Sequence, residues 1–171
     1  MSPTPRWRMA TAWLSGCSGC HMSLLDLDEG LLALAVRAEI VYSPIGSDTK
    51  VYPERVDVCL VEGAVATTAD HTLALTIRQR TRLVVAFGDC ALRGNVPALR
   101  NLLGAAPADG AAVALDRAYR DLAEPGGAMP AEPALLSVVL PLHRVITVDA
   151  VLAGCPPPAA QIAALLERLL P

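Results

Sequence analysis

Apolar residues in this chain fall into short continuous runs, not into the strict alternation of a half-exposed sheet. Runs at 8–14, 39–43, 56–61, 83–87 and 145–148 are too short for helices and predict strands, the continuous ones buried on both faces. Between them the pattern turns helical. Residues 21–37 carry Leu25, Leu32 and Val36 as an apolar face, with Ser23 as a candidate N-cap. Asp26 and Asp28 would favour the positive end of that helix. Further helices are predicted at 67–80, 96–103, 111–122 and 159–170, the last opened by Pro156-Pro157-Pro158. The order is then β-α-β-β-α-β-α-insert-β-α. Strands alternating with helices make a parallel sheet covered on both faces. This order suggests a flavodoxin-like, doubly wound α/β fold. The Ala-, Gly- and Pro-rich stretch 104–133 reads as an insertion within a single domain spanning 1–171. No internal repeat is visible.

Composition excludes several classes. At 171 residues, 53% hydrophobic and 18% charged, the chain is no disordered polymer. A net charge of −3 without a basic stripe argues against nucleic-acid binding. No apolar stretch approaches the roughly 20 residues of a spanning helix, so no membrane span is expected. Arg6 and Arg8 ahead of Met9–Leu14, with Leu14-Ser15-Gly16-Cys17, would pass for a lipoprotein leader. Its apolar core is shorter than the usual 7–15 residues, so a cytoplasmic chain is expected instead. Low charge with a mean hydropathy of +0.43 implies apolar surface covered by a partner.

The cysteines change the picture most. Five cysteines in a reducing compartment point to metal or redox chemistry more than to disulfides. Cys17 and Cys20 follow the first strand, Cys90 the strand ending at Phe87, and Cys155 the last strand. All four therefore belong on the edge where strand carboxyl ends gather and where such folds bind ligands. Gly16, Gly19, Gly88 and Gly154 accompany them, and glycine lets backbone approach a ligand closely. Four thiolates suit zinc or an iron–sulfur cluster. Zinc sites usually offer two local C-x-x-C pairs, and here one pair stands with two singles. A thioredoxin-like dithiol would leave Cys90 and Cys155 unused. Cys59, inside a predicted strand, reads as a core residue.

The ordered motifs Trp13-Leu-Ser-Gly-Cys-Ser-Gly-Cys-His-Met-Ser-Leu-Leu-Asp26, Val61-Glu-Gly-Ala-Val65, Gly88-Asp-Cys90 and Gly154-Cys-Pro-Pro157 carry a resemblance. The chain resembles the small subunit of nickel–iron hydrogenases, in particular the short form of soluble NAD-reducing hydrogenases. The resemblance implies one 4Fe–4S cluster held by Cys17, Cys20, Cys90 and Cys155. That cluster would lie next to a nickel–iron centre in a large subunit. Electrons would pass to NAD through flavin and further clusters on diaphorase subunits. Longer relatives carry a C-terminal domain with more cysteines, so a single cluster is expected here. The cluster-bearing subunit of complex I is a related alternative. It has two adjacent cysteines where this chain has Cys17-Ser-Gly-Cys20, so the spacing favours hydrogenase. A zinc-stabilised interaction module is the other alternative. Glu62 could shape the cluster's field, relay a proton or contact iron, or simply cap a loop. His21 could hydrogen-bond the cluster or a partner, and Gly16 and Gly19 could admit backbone donors. His71 and His143 have no metal-spaced neighbour, and Trp13 is expected to pack, at an interface if anywhere.

Overall fold

The computed structural model describes residues 6–119 and 134–170. β1 (Trp7–Trp13) leads to α1 (Gly19–Leu25), α2 (Gly30–Arg37) and β2 (Ala38–Tyr42). Then come β3 (Val56–Glu62), β4 (Val65–Thr67), α3 (Thr68–Arg80), β5 (Thr81–Phe87) and α4 (Asp89–Arg93). A 3-10 helix, Val96–Leu102, precedes α5 (Gly110–Tyr119), β6 (Leu135–Leu140), β7 (Ala150–Leu152) and α6 (Ala159–Leu169). Five strands form one parallel sheet in the order β2-β1-β3-β5-β7. Counting only those strands, this is the 2-1-3-4-5 order of flavodoxin-like folds, as expected.

The central strand shows why a continuous apolar run makes such a sheet. Alternate residues of β3 enter two separate cores. Val58 and Leu60 pack with Leu24 of α1, Leu34 of α2 and Ile162 of α6. Cys59 and Val61 pack with Ala74 and Ile77 of α3. Both faces are therefore covered, and a polar residue on either face would be stranded. Helix α3 begins with a capping box: the Asp70 amide donates to Thr67 Oγ1, and the Thr67 amide donates to the Asp70 carboxylate.

Several expectations are corrected. The helix expected over 21–37 is broken. Asp28 takes a left-handed φ of 48°, and i→i+3 bonds from Leu27, Asp28 and Gly30 close the turn between α1 and α2. The break resets the helical phase, so Leu32 and Val36 are 71% and 76% exposed while Leu34 is buried. Asp26 follows the carboxyl end of α1 and therefore does not serve a helix N-terminus. Ser23 lies within α1 and is no N-cap; its hydroxyl donates to the Pro157 carbonyl at 2.5 Å.

Residues 145–148 are not a strand. A 3-10 turn at Leu142–Arg144 delivers Leu142 and Ile146 into the core, and pairing to β5 starts only at Ala150. The antiparallel pair β4–β6 was not anticipated, because three residues of β4 are too few to show a period. The segment 96–102 is 3-10, not α-helical, and the short helix α4, too brief to show a period, precedes it. The helix expected at 111–122 is present through Tyr119, and its remainder lies outside the described residues.

Candidate metal centre

Each cysteine loop begins where a parallel strand stops. After β1, the Leu14 amide donates to the Glu62 carbonyl, and Ser15 and Ala64 exchange both backbone bonds at 3.1 and 2.8 Å. The Ser15 hydroxyl donates to Asp70 at 2.7 Å, tying this turn to the start of α3. Cys17 is then exposed on the turn, and Ser18, at a left-handed φ of 61°, turns the chain into α1. Cys20 is the second residue of that helix and is buried.

The loops after β5 and β7 are laced together. The Gly88 amide donates to the Leu152 carbonyl and the Asp89 amide to the Gly154 carbonyl, both at 2.8 Å. In return the Gly154 amide donates to Asp89 Oδ1 at 3.1 Å. Cys90 and Cys155 are thereby set side by side. Gly88 is required here: at φ 86° a side chain is strained, and a Cβ would collide with Cys20 Sγ. Cys17, Cys90 and Cys155 line one cleft of about 460 Å³ with Ser15, Gly16, Asn95, Val96 and Pro97. Among the described residues no three His, Cys, Asp or Glu groups are drawn together as tightly as a single metal ion needs.

Burial pushes the Cys20 thiol from 9.0 up to about 12, with Glu62 and the other three cysteines adding to the effect. Burial also raises Cys90, opposed by the Asn95 amide. Such thiols hold their protons until a metal displaces them.

Glu62 and His21 are buried behind the start of α1, outside the lining of the cleft. Glu62 Oε1 accepts from the Cys20 amide at 3.4 Å, and Oε2 accepts from the His21 amide at 3.0 Å. His21 Nδ1 lies 2.5 Å from the same Oε2, and both residues are essentially sealed from solvent. Glu62 thus anchors the first turn of α1 and orients the helix that bears Cys20. His21 faces inward against Phe87, away from any partner surface. Gly19 abuts Cys17, its would-be Cβ 3.3 Å from that Sγ, and Gly16 abuts Gly63 beside Glu62. Cys59 is fully buried in β3, well inside the core, as expected. His71 is half-buried, His143 is exposed, and Trp13 is partly exposed at the end of β1.

One site residue escaped sequence reasoning. Asn95 Nδ2 donates to Cys155 Sγ at 3.3 Å and to Cys90 Sγ at 3.8 Å. Sixty residues separate Asn95 from Cys155, and Gly94-Asn95 by itself reads as an ordinary turn.

Fold and cleft define a class: a doubly wound α/β protein presenting four cysteines from three strand-end loops. The chain belongs to the NADH ubiquinone oxidoreductase 20 kDa subunit family, whose model matches residues 17–169. It is similar to a vhu subunit of the F420-non-reducing hydrogenase of Methanocaldococcus jannaschii, 41% identical over 160 residues, covering 92% of this chain and 54% of that protein. The NAD-reducing hydrogenase HoxS subunit delta of Cupriavidus necator is 32% identical over 170 residues, 95% of this chain and 78% of that one. A solved NAD+-reducing NiFe hydrogenase in the H2-reduced state superposes with a TM-score of 0.87 at 36% identity, covering 97% of this chain and 92% of its counterpart. The chain spans about half the length of the F420-non-reducing relatives it matches. The resemblance to hydrogenase small subunits that the motifs carry is borne out.

Proposed function

We propose that this chain is the electron-transfer small subunit of a soluble, cytoplasmic NAD-reducing nickel–iron hydrogenase. In this reading Cys17, Cys20, Cys90 and Cys155 hold one 4Fe–4S cluster within a single domain in which 104–133 is an insertion. The observation that supports it is that Cys17, Cys90 and Cys155, from three strand-end loops, line one cleft, with Cys20 Sγ packed against Gly88 on the same edge of the sheet. The donor set fits: the cleft is lined by thiols, small residues and an amide donor, and no carboxylate is among its lining residues. When bound, the cluster would relay single electrons between a nickel–iron centre on a large subunit and NAD-reducing diaphorase subunits.

The chain's own residues supply ligation, placement and exclusion of water. Glu62 accepts from the amides of Cys20 and His21 and so holds the start of α1, which bears Cys20. Asp89 and Gly154 keep the loops of Cys90 and Cys155 in register. Val96, Leu99 and Leu102 recur every third residue of the 3-10 helix beside the cleft, and all three are exposed. That stripe, with Trp13, is a surface the large subunit would cover. An obligate interface of this kind buries more than about 2,000 Å². Among the described residues no helix is long and apolar enough to cross a membrane. A complex I-like role is less supported, because the relatives above are named as hydrogenase subunits.

Anaerobic co-expression with a nickel–iron hydrogenase large subunit tests this reading. The expected product is a brown complex with about four iron and four sulfide per small subunit. A colourless chain with one zinc and no sulfide would replace it with the zinc-stabilised module. A monodisperse, air-stable, cluster-loaded monomer would remove the need for the large subunit.

A further inference from the structure

Asn95 occupies a backbone position that ordinarily belongs to glycine. Its φ of 41° and ψ of −131° lie where L side chains are rarely found. A residue kept in such a conformation points to a use for its side chain. That side chain spans the cleft, its amide nitrogen 3.3 Å from Cys155 Sγ and 3.8 Å from Cys90 Sγ. An amide nitrogen carries two hydrogens, so both bonds can be made at once. A ligating thiolate only accepts, so the nitrogen and not the oxygen of the amide must face the two sulfurs. Among the described residues no other side chain hydrogen-bonds the sulfurs of Cys17, Cys20, Cys90 or Cys155.

We propose that Asn95 is a positioning residue that bridges the sulfurs of Cys90 and Cys155 and raises the reduction potential of the cluster they hold. This rests on the four-cysteine reading above. An electron added to the cluster increases the charge on its sulfurs, so a donor aimed at two of them binds the reduced form more strongly than the oxidised form. The same bridge ties the loop after β5 to the loop after β7, each of which supplies one ligand.

The test uses the anaerobically purified complex of this subunit with its large subunit. Iron and sulfide are assayed first, and the cluster is then titrated potentiometrically with its paramagnetic signal as the readout. Asn95→Gly suits the backbone and removes the donor. It is expected to keep full iron and sulfide. Its equilibrium constant for one-electron reduction should fall at least tenfold, a shift of about 59 mV to more negative potential. In ordinary water the wild type should show a proton coupling from the amide that disappears on exchange into deuterated water, and Asn95→Gly should lack it in both. Asn95→Asp keeps the shape but presents an acceptor in place of the donor, and a larger negative shift is expected. Should Asn95→Gly fail to hold iron, the Asn95→Asp titration decides alone. An unchanged potential in a fully loaded variant overturns the role of Asn95 and leaves the cluster reading standing. A wild-type complex without iron and sulfide overturns the cluster reading itself.

Discussion

Cys59 and Cys20 are both buried thiols, one in the middle of β3 and one beyond the carboxyl edge of the sheet. Burial pushes each from 9.0 up to about 12. At Cys59 the Tyr52 hydroxyl opposes the rise, and the neighbours are Ala10 on β1 and Val84 on β5. At Cys20 the Glu62 carboxylate and three further cysteines add to it. The same shift from the same leading cause thus marks a core residue in one place and a candidate ligand in the other. A raised thiol says only that water is excluded. The company the thiol keeps, and its place relative to the strand end, carry the chemical information.

The largest expected effect breaks that comparison directly. Cys20→Ser should abolish cluster binding in the co-expressed complex, read as iron and sulfide near zero. Cys59→Ala should keep both while costing on the order of 1 kcal/mol for the lost core packing. Equal loss of iron from both variants would mean that the ligand set is wrong.

A second contrast sharpens the edge against the rest of the molecule through two glycines. Gly88→Ala sets a Cβ against Cys20 Sγ at a φ that costs about 1–3 kcal/mol for a residue with a side chain. Its iron content is expected to drop several-fold. Gly30→Ala, whose Cβ would rest 3.5 Å from Leu27 Cβ in ordinary contact, should load iron like the wild type. Matching iron content in the two variants would show that the strand-end spacing does not govern the site.

The smallest effect concerns an anchor that stabilises the sheet without touching the cysteines. Asp149 accepts from the Val84 amide at 2.7 Å and pairs with Arg78 at 2.6 Å. Partial burial would raise its carboxyl, but the Val84 amide and the Arg78 guanidinium outweigh that and hold it below the ordinary 3.8. A depressed carboxyl contributes stability that is present above its unfolded value and is lost as pH falls through the folded one. Asp149→Asn should therefore cost under about 1 kcal/mol at pH 7. The gap to wild type should be unchanged at pH 5 and narrower at pH 3, which lies below the ordinary 3.8. Thermal unfolding at those three pH values checks it, and a gap that widens in acid would contradict the sign. Iron content should not change.

Burial on both faces is written directly into β3 and β5, because continuous apolar runs such as Val84–Phe87 have no polar side to give to water. The flavodoxin-like order and the edge that gathers Cys17, Cys20, Cys90 and Cys155 follow from those strands and from what stands just after each. Glu62 was legible as an acid at a strand end. That it holds the first turn of α1 was not, because its acceptance from Cys20 and His21 spans about forty residues.

The sequence by itself determined which runs are buried, that strands and helices alternate, and which cysteines sit at strand ends, since each is a local property of spacing and polarity. The tertiary structure decided what local pattern leaves open. It split the helix at Asp28, turned Leu32 and Val36 outward, and began the last parallel strand at Ala150. It paired β4 with a strand about seventy residues further on, and it aimed the Asn95 amide at two sulfurs on different loops. The physical reason is the same in each case. A periodic run fixes which side of an element is apolar, but the partner that covers that side, or the sulfur that accepts a hydrogen bond, is chosen by chain far away in sequence.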